Sequence, residues 1–301
     1  MDKYRILTFD GGGVCGAFSA AVLVKLCKLI PNIVEKADLI AGSSIGALIT
    51  LCIANGTSPK DLLKLYSKKN AGFVFADAHN GIFKPKYDNK NLKLMLQCIF
   101  PPDLRLKDLK ARVLIPSFKT RGSNFINWGP VLFNNFPKSR TKNKSVIDVA
   151  LASTAAPVYF PSYKNYMDGG IYANNPGLAA ITVALDKDLG NQKLANIHLL
   201  SIGTGIFPYK TLPTTASWGI YQWTFYQPAP FPLLKVMIKG KGDIESYFIS
   251  EVLGKKQFLR INPVLGKPIA LDDYREIPDL INFGQGLELS QEMEWIKTNW
   301  L

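Results

Sequence analysis

The chain has 301 residues, 47% of them apolar, which suits one large globular domain, or two at most, with a full core and excludes a disordered or fibrous chain. No run of eighteen apolar residues occurs, so no transmembrane helix is expected, and the opening MDKYRILTFDGGG passes straight into a strand and a glycine turn, leaving no room for a signal peptide. The formal charge of +13 favours an anionic partner, either an acidic lipid surface or nucleic acid, but no recognition helix, zinc finger or RNA-sheet motif accompanies it to support the second.

Tyr4 to Phe9 reads as a buried strand, followed by the turn DGGGVCG from Asp10 to Gly16. Gly16 to Ile30 carries an apolar stripe at helical spacing, including Val22, Leu26 and Leu29. Asp38 to Gly42 is a second short strand, and the helix after it should run from Ser44 to about Ala54 and stop at Asn55-Gly56. Ser58, Pro59 and Asp61 then open another helix as cap, first residue and capping-box partner. Ala111 to Phe118 is a further strand, and Ser145 with Asp148 caps the helix SVIDVALAST. Pro157 and Pro161 end that helix and lead the chain to the turn at Asp168. Asn175-Pro176 begins a helix near Gly177 to Leu185, and Ile197 to Ile202 is a strand ending in SIGTG.

Phe207 to Phe231 differs in character. It gathers Phe207, Tyr209, Trp218, Tyr221, Trp223, Phe225, Tyr226 and Phe231 among prolines. These aromatics could close the core, line an acyl groove or rest at a lipid headgroup layer. From about Lys255 come a short strand, an acidic turn at Asp272-Asp273 and a terminal amphipathic helix. The basic run KSRTKNK, from Lys138 to Lys144, reads as a solvated loop. The strand-turn-helix alternation argues for an α/β fold with a mostly parallel sheet. Cys15, Cys27, Cys52 and Cys98 show no pairing or metal motif, which fits a reducing, cytoplasmic setting.

Three turns carry the chemistry. In GSSIG, Gly42 to Gly46, a serine between a strand and a helix sits on a tight elbow. The glycines remove clashing side chains, and the Ser44 hydroxyl projects above the sheet. Ser43 occupies the wrong slot of that frame. In the first turn, Gly11, Gly12 and Gly13 can aim consecutive amides at one oxygen. The same residues with Gly16 form a GxGxxG, but no acidic residue ends the second strand and no Walker lysine-serine pair follows, so dinucleotide and nucleotide binding are the weaker readings. Asp168, before Gly169 and Gly170, is the candidate base for Ser44. The order Ser44, Asp168, His198 also matches a serine–acid–histidine triad. His198, however, falls near the start of its strand, whereas ligands bind at the carboxyl ends of the strands. The other histidine, His79, lies in a loop without a partner pattern.

With these residues in place the sequence resembles the patatin-like phospholipase family, related in catalytic design to the cytosolic calcium-independent phospholipases. The resemblance rests on the glycine loop from Asp10 to Gly16, the elbow from Gly42 to Gly46 and the Asp-Gly-Gly turn from Asp168 to Gly170. ALASTAAPVYFP before Asp168 and NNPG from Asn174 also resemble family segments. The likeness is clearest over 4–205, and the LDD turn near Leu271 extends it. It implies a single catalytic domain over 1–301, with 206–301 an extension of the same unit, and a three-layer α/β/α fold.

It implies also a Ser44–Asp168 dyad without histidine, an oxyanion hole at Gly11 to Gly13, and Asp10, Gly16, Gly42, Gly46, Gly169 and Gly170 in support. No cofactor and no metal are implied. The expected activity is acyl-ester hydrolysis of a phospholipid, phospholipase A in type, at an anionic membrane surface. An acyltransferase using the same acyl-serine, an effector silent until a ligand binds, and a non-enzymatic basic protein on a hydrolase scaffold remain open. One departure stands out: the family commonly places arginine or lysine before the last glycine of the first turn, and this chain has Cys15. The sequence carries no signal for oligomeric state.

Overall fold

The computed structural model describes residues 3–121, 128–207, 214–226 and 231–301. Tyr209 lies outside them. The strands are β1 (Tyr4–Phe9), β2 (Leu39–Gly42), β3 (Val113–Lys119), β4 (Gly129–Asn134), β5 (Tyr166–Asp168), β6 (Ile197–Ile202) and β7 (Phe258–Ile261). The helices are α1 (Gly16–Leu29), α2 (Ile45–Asn55), α3 (Pro59–Leu65), α4 (Lys68–Val74), α5 (Lys90–Ile99), α6 (Val146–Ser153), α7 (Gly177–Leu185), α8 (Ile220–Phe225), α9 (Pro232–Leu253), α10 (Ile277–Gly286) and α11 (Ser290–Trp295).

One sheet runs in the order β4-β3-β2-β1-β6-β7, with β5 paired to β3. The pairs β1–β2, β1–β6, β2–β3 and β6–β7 are parallel, while β4 and β5 are antiparallel to β3. Side chains alternate between two cores, as the pleat requires. Leu7, Phe9, Ile40, Ile115 and Ile202 join the core on the α1, α2 and α6 side, whereas Ile6, Leu39, Ala41, Leu114 and Leu199 join the one beneath α7. The result is the three-layer α/β/α arrangement with a largely parallel sheet.

Local signals placed several ends correctly. Gly56 takes a left-handed φ of 96° to close α2, and Ser58 accepts the Asp61 amide at 3.1 Å to open α3. Helix α1 ends at Leu29, which is half exposed rather than part of the buried stripe. Six elements were not expected from the sequence: α4, α5, α8, the 22-residue α9, β4 and β5. Among the described residues no helix is long and apolar enough to cross a membrane.

Sheet topology sets the site. Strand β4 covers β3 from Leu114 to Lys119 along one edge. On the other edge β2 pairs only with Val113 and Leu114, and β5 takes Ser117 to Lys119. Thus β5 fills the space beyond the end of β2. The residue that ends β5, Asp168, meets the elbow that follows β2.

Candidate active site

Ser44 sits on that elbow with φ 54° and ψ −120°, a conformation L-residues rarely adopt. The turn can be this tight because Gly46 presses on β1: a Cβ there would lie 2.2 Å from the Phe9 carbonyl oxygen, and one on Gly42 would lie 2.0 Å from the Gly46 oxygen. Ser153 fixes the elbow from α6. Its hydroxyl accepts the Ser44 amide at 3.1 Å and donates to the Pro116 carbonyl on β3 at 2.7 Å.

The Ser44 hydroxyl donates directly to Asp168 Oδ2 at 2.6 Å. The other carboxylate oxygen, Oδ1, accepts the Gly170 amide at 2.7 Å. Asp168 is buried. Burial pushes its carboxyl up to about 6, and the hydrogen bonds from Ser44 and Gly170 only partly oppose that rise. A carboxylate so placed is a stronger base than an exposed one and still ionises near neutrality.

The glycine loop faces the same space. A Cβ on Gly11 would stand 3.2 Å from Ser44 Cβ. The loop is pinned at several points. The Gly11 amide donates to Asn174 O at 3.0 Å, its carbonyl accepts the Thr204 hydroxyl at 2.9 Å, and the Val14 amide donates to Leu271 O at 2.9 Å. Gly13 adopts a φ of 58°, and a Cβ there would lie 2.2 Å from Leu271 O. The amides of Gly12 and Gly13 have no acceptor among the described residues. Of the three expected donors, the Gly11 amide is therefore already committed to the backbone.

Below the loop, Arg260 on β7 grips both carboxylate oxygens of buried Asp10, at 3.2 and 2.5 Å, and donates to Ser201 Oγ at 2.6 Å. No sequence pattern marked Arg260. Its partner lies 250 residues away.

From Ser44 and Asp168 an apolar cavity of about 210 Å³ leads into the layer formed by α2 to α5. Leu48, Leu62, Phe75, Met95, Leu96 and Ile99 are among its walls. Leu92, Met95, Leu96 and Ile99 all line it at i, i+3, i+4 and i+7 on α5, a readable helical stripe. None of the described aromatics between Phe207 and Phe231 lines it, so those side chains do not form the acyl groove that the sequence allowed for them.

Cys15 is not among the cavity walls. It lies in the core, where burial, with a smaller contribution from Glu276, pushes its thiol up to about 12. The position where the family commonly carries a positive charge is thus a core position in this chain.

His198 pairs in register with Arg5 at the start of β1, on the amino edge of the sheet, and its Nδ1 meets Asn196 O at 3.1 Å. It does not stand between Ser44 and Asp168. His79 is exposed in a loop. The Lys138 to Lys144 run is largely exposed, with Lys138 paired to Asp188 at 2.9 Å. Among the described residues no cluster of three His, Cys, Asp or Glu side chains is arranged to hold a metal.

The family model described as patatin-like phospholipase matches residues 7–181. The CotR protein of Bacillus subtilis is 32% identical over 321 aligned residues, covering 100% of this chain and 99% of its own. A protein named cGAMP-activated phospholipase, from Vibrio cholerae serotype O1, is 30% identical over 246 residues, covering 71% of this chain and 68% of its own. Among solved structures, VipD from Legionella pneumophila aligns with a TM-score of 0.52 at 12% identity, covering 99% of this chain and 67% of that one, a likeness of fold alone.

Proposed function

We propose that this chain, which belongs to the patatin-like phospholipase family and is a lipid hydrolase of that family, cleaves a fatty acyl ester of a glycerophospholipid through an acyl–Ser44 intermediate. The observation that carries the reading is the 2.6 Å Ser44–Asp168 hydrogen bond at the head of an apolar cavity. Such a cavity would receive an acyl chain by apolar burial and bring its ester carbonyl to Ser44.

In this mechanism Ser44 Oγ attacks the ester carbonyl while Asp168 Oδ2 takes the hydroxyl proton. The oxyanion forms against the free amides of Gly12 and Gly13, aided by the positive end of α2. Collapse breaks the bond to the leaving alkoxide, which receives the proton from Asp168. Water then enters. Asp168 takes its proton, the hydroxide oxygen attacks the acyl-enzyme, and Ser44 leaves with the proton returned.

The charge of +13 supports work at an anionic lipid surface, with binding that weakens as salt rises. The test is product analysis on a defined glycerophospholipid with native protein and Ser44→Ala. Free fatty acid and lysolipid should form with the first only. Equal release by both proteins would end this reading.

A further inference from the structure

The helices α8 and α9 leave an apolar surface uncovered. Ile220 and Tyr221 on α8 are 87% and 71% exposed. Leu233, Val236 and Met237 on the first turns of α9 are each about half exposed. Farther along, Ile244, Tyr247 and Phe248 continue the same outward stripe at helical spacing. The two helices touch, and the Phe231 amide between them donates to Thr224 O at 2.8 Å. Scattered exposed apolar residues are ordinary, but a contiguous group on one two-helix projection is not.

The position of this projection follows from how α9 is anchored. Its last turns bury Ile249 and Leu253 with Ile197 and Leu199, at the beginning of β6. Its middle lies level with the active-site turn. The Asn175 amide donates to Glu245 Oε2 at 3.0 Å and the Asn175 side-chain amide to Ser246 Oγ at 3.2 Å, while Gly242 stands beside Asn174. Asn174 is a wall of the Ser44 cavity and holds the Gly11 amide. Helix α9 therefore runs from the carboxyl edge of the sheet down to its amino edge. The residues before Gly242 continue for about 15 Å past the carboxyl edge, at 1.5 Å per residue.

The charge of the segment selects a partner. From Trp218 to Gly242 the sequence contains no acidic residue and three lysines: Lys235, Lys239 and Lys241. Trp218, Tyr221, Trp223 and Tyr226 lie in the same stretch, and Trp218 packs against Trp223 and Tyr226 with ring centroids 5.0 and 4.7 Å apart. Apolar side chains with tryptophan, tyrosine and lysine are the composition of a segment resting in the headgroup layer of an anionic bilayer.

We infer that the α8–α9 projection is the membrane-docking element of this enzyme. It seats its exposed apolar residues in an anionic lipid surface and sets the mouth of the Ser44 cavity toward the lipid. The inference rests on the lipid-hydrolase reading of that site, since docking there serves a substrate drawn from the bilayer.

The test compares native protein with two variants, Ile220→Ser/Tyr221→Ser and Leu233→Ser/Met237→Ser. All four positions are exposed, so the fold should hold, and thermal melting checks that it does. Three readouts are taken: co-sedimentation with phosphatidylcholine–phosphatidylserine vesicles, hydrolysis of phospholipid in those vesicles, and hydrolysis of a soluble short-chain p-nitrophenyl ester. Vesicle binding and vesicle hydrolysis should each fall about ten-fold or more in both variants, with the soluble-ester rate unchanged. Native-like vesicle binding by the variants overturns the inference, as does failure of native protein to bind these vesicles. A native dimer that becomes monomeric in the variants, with vesicle binding intact, reassigns the surface to contact between copies. If native protein hydrolyses neither substrate, the lipid-hydrolase reading fails, while co-sedimentation still decides whether the projection docks.

Discussion

Arg260 and Asp10, 250 residues apart, form a two-pronged ion pair directly beneath the glycine loop. Burial raises the Asp10 carboxyl, and the guanidinium opposes that rise. Arg260→Met would leave a buried carboxylate unpaired, at a cost of about 3–5 kcal/mol. Urea melts should show that loss, and esterase activity should fall as the loop loosens. Adding Asp10→Asn should restore part of the stability. A single variant as stable as native protein would mean that the pair does not hold the loop.

The pH dependence follows from Asp168. As a base it must be ionised, so kcat/KM on a soluble ester should rise through about pH 6 and level off above it. A rise centred in the ordinary carboxylate range, about 4, would contradict a buried base.

The same group shapes stability. Its folded pKa lies above its unfolded value, so the stability linked to its proton is full below about 4 and is lost as pH rises through about 6. Asp168→Asn should therefore gain on native protein as pH rises through that window, by on the order of 2–3 kcal/mol. Thermal melts at acid and at mildly alkaline pH give the comparison. A constant difference between the two proteins would speak against a raised Asp168.

The walls of the cavity should set chain length. Met95 on α5 is partly buried and lines the cavity. Met95→Trp should lower the rate on long-chain p-nitrophenyl esters about ten-fold while sparing acetate and butyrate, since lost apolar burial is worth ~0.8 kcal/mol per methylene. A uniform loss at every chain length would place the acyl group elsewhere.

What the sequence made legible was local. Gly42 to Gly46, Asp10 to Gly16 and Asp168 to Gly170 are tight turns, and tight turns announce themselves through glycine next to a strand. The starts of α3 and α7 were readable from another local signal, the capping pairs Ser58-Pro59 and Asn175-Pro176. Arg260 could not be read, because its meaning depends on a neighbour brought near by the β1–β6–β7 pairing. Nor could the commitment of the Gly11 amide, whose acceptor on Asn174 is distant in the chain. The α5 stripe at Leu92, Met95, Leu96 and Ile99 was present and went unread among polar neighbours. Helix α9 was hidden differently: Gly240, Gly242 and the lysines interrupt its pattern, and its apolar stripe faces outward where a core helix would turn it in.

The most direct measurement is turnover of a soluble ester by Asp168→Asn beside Ser44→Ala and His198→Ala, each confirmed folded. A Ser44–Asp168 dyad predicts that Asp168→Asn falls to the background of Ser44→Ala, because asparagine keeps the shape but cannot take the proton, while His198→Ala retains most activity. Near-native turnover by Asp168→Asn, or collapse of turnover in a folded His198→Ala, would contradict it.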